Sequence, residues 1–394
     1  MAECVRPRIC LVYGTRPEAI KLAPVFRELR TRADRFATTV VVTAQHRELL
    51  DQMLAVFAIV PDVDLNIMEE GQTLAQVTCR ALEALQDTLR QLSPNMVLVQ
   101  GDTTTVLAGA LAAFYEKILV GHVEAGLRSG NKLSPYPEEV NRRMTSVLAD
   151  LHFAPTEGAR QQLLAEGIAA GSIHVTGNTV IDALRMIADH SARVPDRAAA
   201  LLENVEGRLI LVTVHRRENQ GVALTSVCAA LEQVAGEFQD VTIIWPLHPS
   251  PAVGGAAREL LGGKERIVLC EPLDYTEFVP LMSRADLIIT DSGGIQEEAS
   301  ALGIPVLVTR ETTERPEGVE AGVAKLVGVA TETIAIEAAE LLSNPSAYAK
   351  MSRQACPYGD GRAAARICDA LEYHFGISDH RPDDFKWTRN ETAR

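Results

Sequence analysis

The chain has 394 residues, 47% of them hydrophobic and 23% charged, the make-up of a water-soluble globular protein long enough for two domains. A formal net charge of −14 with only 5% aromatic residues argues against a nucleic-acid partner, although local Arg and His clusters can still hold a small anionic ligand. Seven scattered cysteines with no Cys-x-x-Cys point to a reduced compartment and no metal site, and with no leader-like or membrane-spanning apolar run the expected location is cytoplasmic, away from membrane.

In chain order, a first strand is expected over residues 9–13. It runs into Gly14-Thr15-Arg16-Pro17-Glu18, where Gly permits a tight turn and Pro17 suits the first turn of a helix. Arg16 then sits at the strand end, where a forked guanidinium can reach a phosphate, and Lys21 follows about one turn on. Strands are next expected at 38–43, 96–100, 118–123 and 152–154. Between the second and third, Leu74, Val77, Ala81, Leu85, Leu89 and Leu92 recur at helical spacing. This alternation implies a mostly parallel α/β sheet covered on both faces, with ligands bound beyond the carboxyl ends of the strands.

The residues at those ends are therefore the ones to read. Asp102, in Gly101-Asp-Thr-Thr-Thr105, either caps the next helix or does acid/base work. Glu124, in Gly121-His-Val-Glu-Ala-Gly-Leu-Arg128, follows the next strand. Glu138 and Glu139 open a helix through Pro137, with Glu138 four residues before Arg142 and spaced to pair with it.

The pattern restarts after residue 207, with strands expected at 209–214, 241–245, 267–270, 287–290, 305–308 and 325–327. His215-Arg216-Arg217 follows the first of these and suits a pyrophosphate; His248 stands at the end of the second. Asp291-Ser292-Gly293-Gly294 is the best phosphate cradle, because backbone N–H groups at a helix start favour an anion, and Glu298 lies a turn inside. No Walker loop and no Gly-x-Gly-x-x-Gly follows any strand, so neither NTP hydrolysis nor a bound dinucleotide is expected. The expected domains are 1–180 and 181–360, with a final helix at 361–376 rejoining the first and a loosely ordered tail at 378–394.

Taken in order, the motifs Gly14–Glu18, Gly101–Thr105, Gly121–Arg128, His215-Arg-Arg-Glu218, Thr290–Glu298 and Thr313-Glu-Arg-Pro-Glu317 resemble the bacterial non-hydrolysing UDP-N-acetylglucosamine 2-epimerases over roughly residues 8–372. The resemblance implies a GT-B fold, two Rossmann-like domains with parallel sheets facing a central cleft. It further implies interconversion of UDP-GlcNAc and UDP-ManNAc in cell-surface polysaccharide biosynthesis, no cofactor and a homodimer. By the same resemblance Lys21, Asp102, Glu124, Glu138 and His215 form the catalytic set. Arg16, Leu273, Phe278, Ser292, Gly293, Gly294, Glu298 and Arg315 hold UDP, as His215 also does. Gln45, His46, Gln72, Arg216 and His248, with Glu138, match a second, activating UDP-GlcNAc site. Gly71 stands where some activated members carry Arg, so weaker activation is expected.

Three other enzymes and one non-enzyme stay open at this stage. A hydrolysing epimerase usually shows Arg-Ala-Asp where this chain has Arg16-Pro17-Glu18. An epimerase of a UDP-diacetamido sugar, a GT-B glycosyltransferase and a nucleotide-sugar sensor would each share the UDP site.

Overall fold

The β-branched runs pair into two wholly parallel sheets in this computed structural model, which describes residues 6–44, 47–69, 71–190, 194–216, 219–248, 250–352 and 356–387. The first sheet contains β1 (Arg8–Tyr13), β2 (Ala37–Val42), β3 (Val63–Asp64), β4 (Met96–Gln100), β5 (Leu119–Val123), β6 (Leu151–Ala154) and β7 (Ile173–Val175), in the order β3-β2-β1-β4-β5-β6-β7. The second contains β8 (Arg208–Thr213), β9 (Val241–Pro246), β10 (Ile267–Cys270), β11 (Leu287–Thr290), β12 (Val306–Val308) and β13 (Ala324–Leu326), in the order β10-β9-β8-β11-β12-β13. Each order reverses beside its first strand, β1 or β8, the kind of switch point where open parallel sheets bind ligands. β3 and β7 were not expected: two and three residues are too short to show a period.

Central strands such as β4 are buried along their whole length, as helices on both faces require. The helix Leu74–Leu92 buries Val77, Ala81, Leu85 and Leu89, four positions of the spacing read above, against the first sheet's core. Trp245 is fully buried in the corresponding core of the second sheet.

The chain divides into two compact units, Met1–Ala183 with Tyr358–Lys386, and Leu184–Pro357 with the last residues. The helix Ala363–His374 thus belongs with the first sheet. It packs on the helix Arg16–Thr31, whose C-cap Arg32 pairs with Asp369 at 2.6 Å and Glu372 at 2.8 Å. Part of the tail expected to be loose is fixed to β7. Asp384 accepts from the Val175 N–H at 2.8 Å, Phe385 N–H donates to the Val175 carbonyl, and Arg381 donates to the Ile173 carbonyl at 2.8 Å. A strand at the sheet's edge has unpaired backbone groups, and the tail satisfies them.

Candidate active site

In the first unit the carboxyl ends of β4 and β5 are tied together. Gly101 N–H donates to the Val123 carbonyl at 3.0 Å, and His122 Nε2 lies 2.7 Å from the Gly101 carbonyl. Burial pushes the His122 imidazole down to about 3, so it is neutral and donates through Nε2. This pins the two turns that carry Asp102 and Glu124.

Glu124 is held in the left-handed region at φ 65°, a costly conformation for a residue with a Cβ. Its Oε2 accepts from Lys21 Nζ and, at 2.9 Å, from Asn178 Nδ2, and its side chain is only 7% exposed. Lys21 reaches it from the helix Arg16–Thr31, which Thr15 and Glu18 open with a reciprocal capping box. Glu18 is fully buried and accepts from Gly14 N–H at 2.6 Å. Burial raises its carboxyl to about 7 against the pull of Thr103, Gly14 and Thr15. Arg16 is the first residue of that helix and is half-buried.

Asp102 is not a helix cap. Thr103 caps the helix Thr104–Tyr115, its side chain accepting from Val106 N–H at 3.3 Å. Asp102 instead accepts from Arg142, from Nε at 3.0 Å and also from a terminal nitrogen. Arg142 also pairs with the buried Glu139 at 3.1 Å, so the expected Glu138–Arg142 pair is replaced by Asp102–Arg142–Glu139. Glu139 in turn accepts from the N–H of Ser129 at 3.0 Å and of Gly130 at 3.3 Å, which orders the loop before the helix. Glu138 is the half-buried first residue of the helix Glu138–Leu148.

In the second unit a single buried carboxylate organises the end of β8. Asp291 Oδ2 accepts from the N–H groups of His215 at 2.9 Å and Arg216 at 2.8 Å and from Asn219 Nδ2 at 2.9 Å. Its other oxygen lies 3.4 Å from His215 Nδ1, and the His215 ring stacks on His248 at 5.7 Å. The helix Gly293–Leu302 starts at the expected cradle, with Ser292 as N-cap making no side-chain capping bond. Arg315 lies against Gly293: a Cβ there would stand 2.9 Å from the guanidinium carbon, so a side chain at 293 would have to push the Arg315 head group aside. Arg315 also pairs with Glu297 at 3.0 Å and Glu314 at 3.2 Å.

Burial pushes the Glu314 carboxyl up, but Arg315, Arg216 and Arg310 outweigh it and hold it well below the usual range. Glu298 accepts from the buried Tyr275 hydroxyl at 2.6 Å. Leu273 is buried just before the helix Tyr275–Arg284 and Phe278 is half-buried inside it.

Of the positions matched to an activating site, Gln72 bonds within its own loop, to Glu69 N–H at 3.0 Å and the Ile67 carbonyl at 3.2 Å. Arg216 pairs with Glu314 at 3.0 Å, and His248 is exposed. Gln45 and His46 lie outside the described residues, as do Arg217 and Glu218 of the His215 motif.

The sequence does not reveal Asn178, Asp291 and Tyr275 as partners of the named groups, nor that Arg142 turns to Asp102 and Glu139 rather than to Glu138. Of these only Asp291 gave a signal, since it follows a strand directly.

Residues 27–372 match the family described as UDP-N-acetylglucosamine 2-epimerase. The chain is 50% identical over 379 residues to the UDP-N-acetylglucosamine 2-epimerase of Bacillus subtilis, covering 96% of this chain and 98% of that one. It is similar to the solved structure of a putative UDP-N-acetylglucosamine 2-epimerase from Listeria monocytogenes, with TM-score 0.89 and 47% identity over 97% of this chain and 100% of that one. It is also similar to the Neisseria meningitidis UDP-GlcNAc 2-epimerase bound to UDP-GlcNAc, with TM-score 0.86 and 45% identity over 92% and 99%. The fold class is accordingly GT-B, with two Rossmann-like units.

Proposed function

The chain belongs to the UDP-N-acetylglucosamine 2-epimerase family, and from that premise we propose that it interconverts UDP-GlcNAc and UDP-ManNAc without net hydrolysis. C2–H of the sugar is too weakly acidic for direct removal. Departure of UDP from C1 changes that: the C1–O bond breaks, its electron pair leaves with UDP, and positive charge develops on the ring. A carboxylate then takes the C2 proton, and the C–H pair becomes the C1=C2 bond of 2-acetamidoglucal. Delivery of a proton to the opposite face of C2, with UDP adding back at C1, inverts the centre.

Each demand of this route has a matching group. Arg16, His215 and the Ser292-Gly293-Gly294 helix start stabilise the departing pyrophosphate. Leu273, Phe278, Glu298 and Arg315 complete UDP recognition. Asp102, Glu124 and Glu138, with Lys21 and His215, supply acid and base. The observation that carries the reading is Glu124, a buried carboxylate at a strand end in a strained backbone conformation, held by an ammonium and an amide rather than used as a cap. Incubation with UDP-GlcNAc alone in D2O, followed by proton NMR, tests it. Deuterium at C2 of UDP-ManNAc is the expected result. Full retention of the C2 proton, a requirement for NAD, or accumulation of free ManNAc would count against it.

The enzyme acts as a homodimer, which sedimentation reads directly. A second UDP-GlcNAc bound at Gln45, His46, Gln72, Arg216 and His248, with Glu138, activates it. Activation requires different affinity for two conformations. The expected rate curve is sigmoidal in UDP-GlcNAc, and reaction from UDP-ManNAc alone lags. Hyperbolic kinetics, no lag and no effect of His248→Ala together would remove the second site.

A further inference from the structure

Asn178 has no role in the reading above, yet it is one of the most tightly determined polar residues in the first unit. It follows β7 in the turn Thr176-Gly177-Asn178 and is 1% exposed. Its backbone N–H donates to the Tyr358 carbonyl at 2.6 Å. Gly177 is pressed against Gly359, where a Cβ would stand 3.2 Å from the Gly359 Cα, so the turn is backed by a second stretch of main chain. The side-chain oxygen accepts from Val180 N–H at 3.1 Å, which caps the helix Thr179–His190. With the oxygen committed to the cap, the amide NH2 must face the other way, and there it donates to Glu124 Oε2 at 2.9 Å.

We propose that Asn178 is a positioning residue for epimerisation: anchored by its backbone and by the helix it caps, it fixes the plane of the Glu124 carboxylate. Lys21 holds the same oxygen, but an ammonium on four rotatable carbons supplies charge rather than direction. The planar amide supplies direction. A carboxylate that must meet one face of a sugar needs both, because a displacement of about 1 Å at a reacting group can cost on the order of 100-fold in rate.

The proposal rests on the epimerase reading, and the variants separate the two. Asn178→Ser keeps an oxygen for the cap and deletes the donor to Glu124. Its melting temperature is expected to stay close to that of the unaltered protein, with kcat down roughly 10- to 100-fold and KM for UDP-GlcNAc little changed. Asn178→Asp keeps the cap but turns an acceptor toward Glu124. It should lower kcat further and move the acidic limb of the kcat–pH profile upward, since like charges favour protonation. A crystal structure of Asn178→Ser should show the Glu124 carboxylate rotated or split between conformers.

Asn178→Ser with unaltered kcat per folded molecule, or Glu124 unmoved in its crystal structure, would overturn the proposal and leave Asn178 a cap. Unaltered protein that fails to epimerise UDP-GlcNAc defeats the functional reading instead, and the crystal structure then decides the role of Asn178 by itself.

Discussion

Removing the Asp291 carboxylate should uncouple the His215 turn from the second sheet. Asp291→Ala deprives three donors, the part-buried N–H groups of His215 and Arg216 and the buried Asn219 amide, of one shared acceptor. A hydrogen bond to a charged group contributes about 1.5–3 kcal/mol, and donors left buried without a partner add to the loss. Three bonds that share one oxygen are not additive, so the expected destabilisation is about 4 kcal/mol rather than the full sum. For a unit of this size that corresponds to a fall of roughly 10 °C in its melting transition.

Asp291→Asn is the informative companion. All three donors converge on Oδ2, so an amide oxygen in that place keeps every bond and loses only the charge. Its cost should be about half or less, since charge-assisted bonds are roughly twice as strong as neutral ones. Its amide nitrogen then faces His215 Nδ1, 3.4 Å away, and removes the negative partner of that ring. Scanning calorimetry gives the stabilities and isothermal titration gives UDP affinity. Asp291→Ala should weaken UDP binding more than Asp291→Asn does. An Asp291→Ala protein with unchanged melting and unchanged UDP affinity would refute the reasoning outright. Equal losses in the two variants would mean that charge, not the converging geometry, does the holding.

Asp102→Asn, Glu124→Gln and Glu138→Gln should each lower kcat by on the order of 10²–10⁴ while UDP affinity by titration stays within a few-fold; near-normal turnover in all three would make them structural carboxylates. Arg142→Ala leaves Asp102 and the buried Glu139 without their cation and should cost about 3–5 kcal/mol in denaturant unfolding, with Arg142→Lys recovering only part because it cannot fork between two carboxylates. Glu18 gives a pH signature. Its folded carboxyl lies near 7 against 4.5 for the free group, so between those values the folded state holds the extra proton and its contribution to stability falls as pH rises. Glu18→Gln should flatten that slope in melting temperature against pH; an unchanged slope would assign it to other groups.

Much of this arrangement is legible in the sequence because strand ends announce themselves. An apolar β-branched run followed by Gly, Asp or Glu places Gly101-Asp102, Glu124 and Asp291-Ser292 at sheet ends. What the sequence could not supply was pairing across those ends. Arg142 is spaced to meet Glu138 on its own helix, yet it goes to Asp102, forty residues earlier, and to Glu139. Local spacing fixes which side chains are neighbours on a helix but says nothing of a stronger partner on an adjoining turn. Asp102 has a preferred capping residue type, but Thr103 sits one place nearer the helix and takes the cap. Asn178 was hidden for another reason: it follows β7, a strand too short to be recognised, so its turn was not read as a sheet end.

The return of the helix Ala363–His374 to the first unit carries a consequence for how the chain is made. The unit begun at the N-terminus is completed only when residues 358–386 emerge, after the whole of the second unit has been synthesised. At the usual pace of about 5–20 residues per second, that interval is on the order of ten to forty seconds on the ribosome. Throughout it the face of the helix Arg16–Thr31 that will meet the helix Ala363–His374 has no cover, and Arg32 has neither Asp369 nor Glu372 to pair with. The second unit has the one continuous run from 184 to 357 that makes up nearly all of it, and that run can finish first. A nascent chain arrested before residue 358 should therefore present a protease-resistant second half and a first half that chaperones recognise, an order of completion opposite to the order of translation.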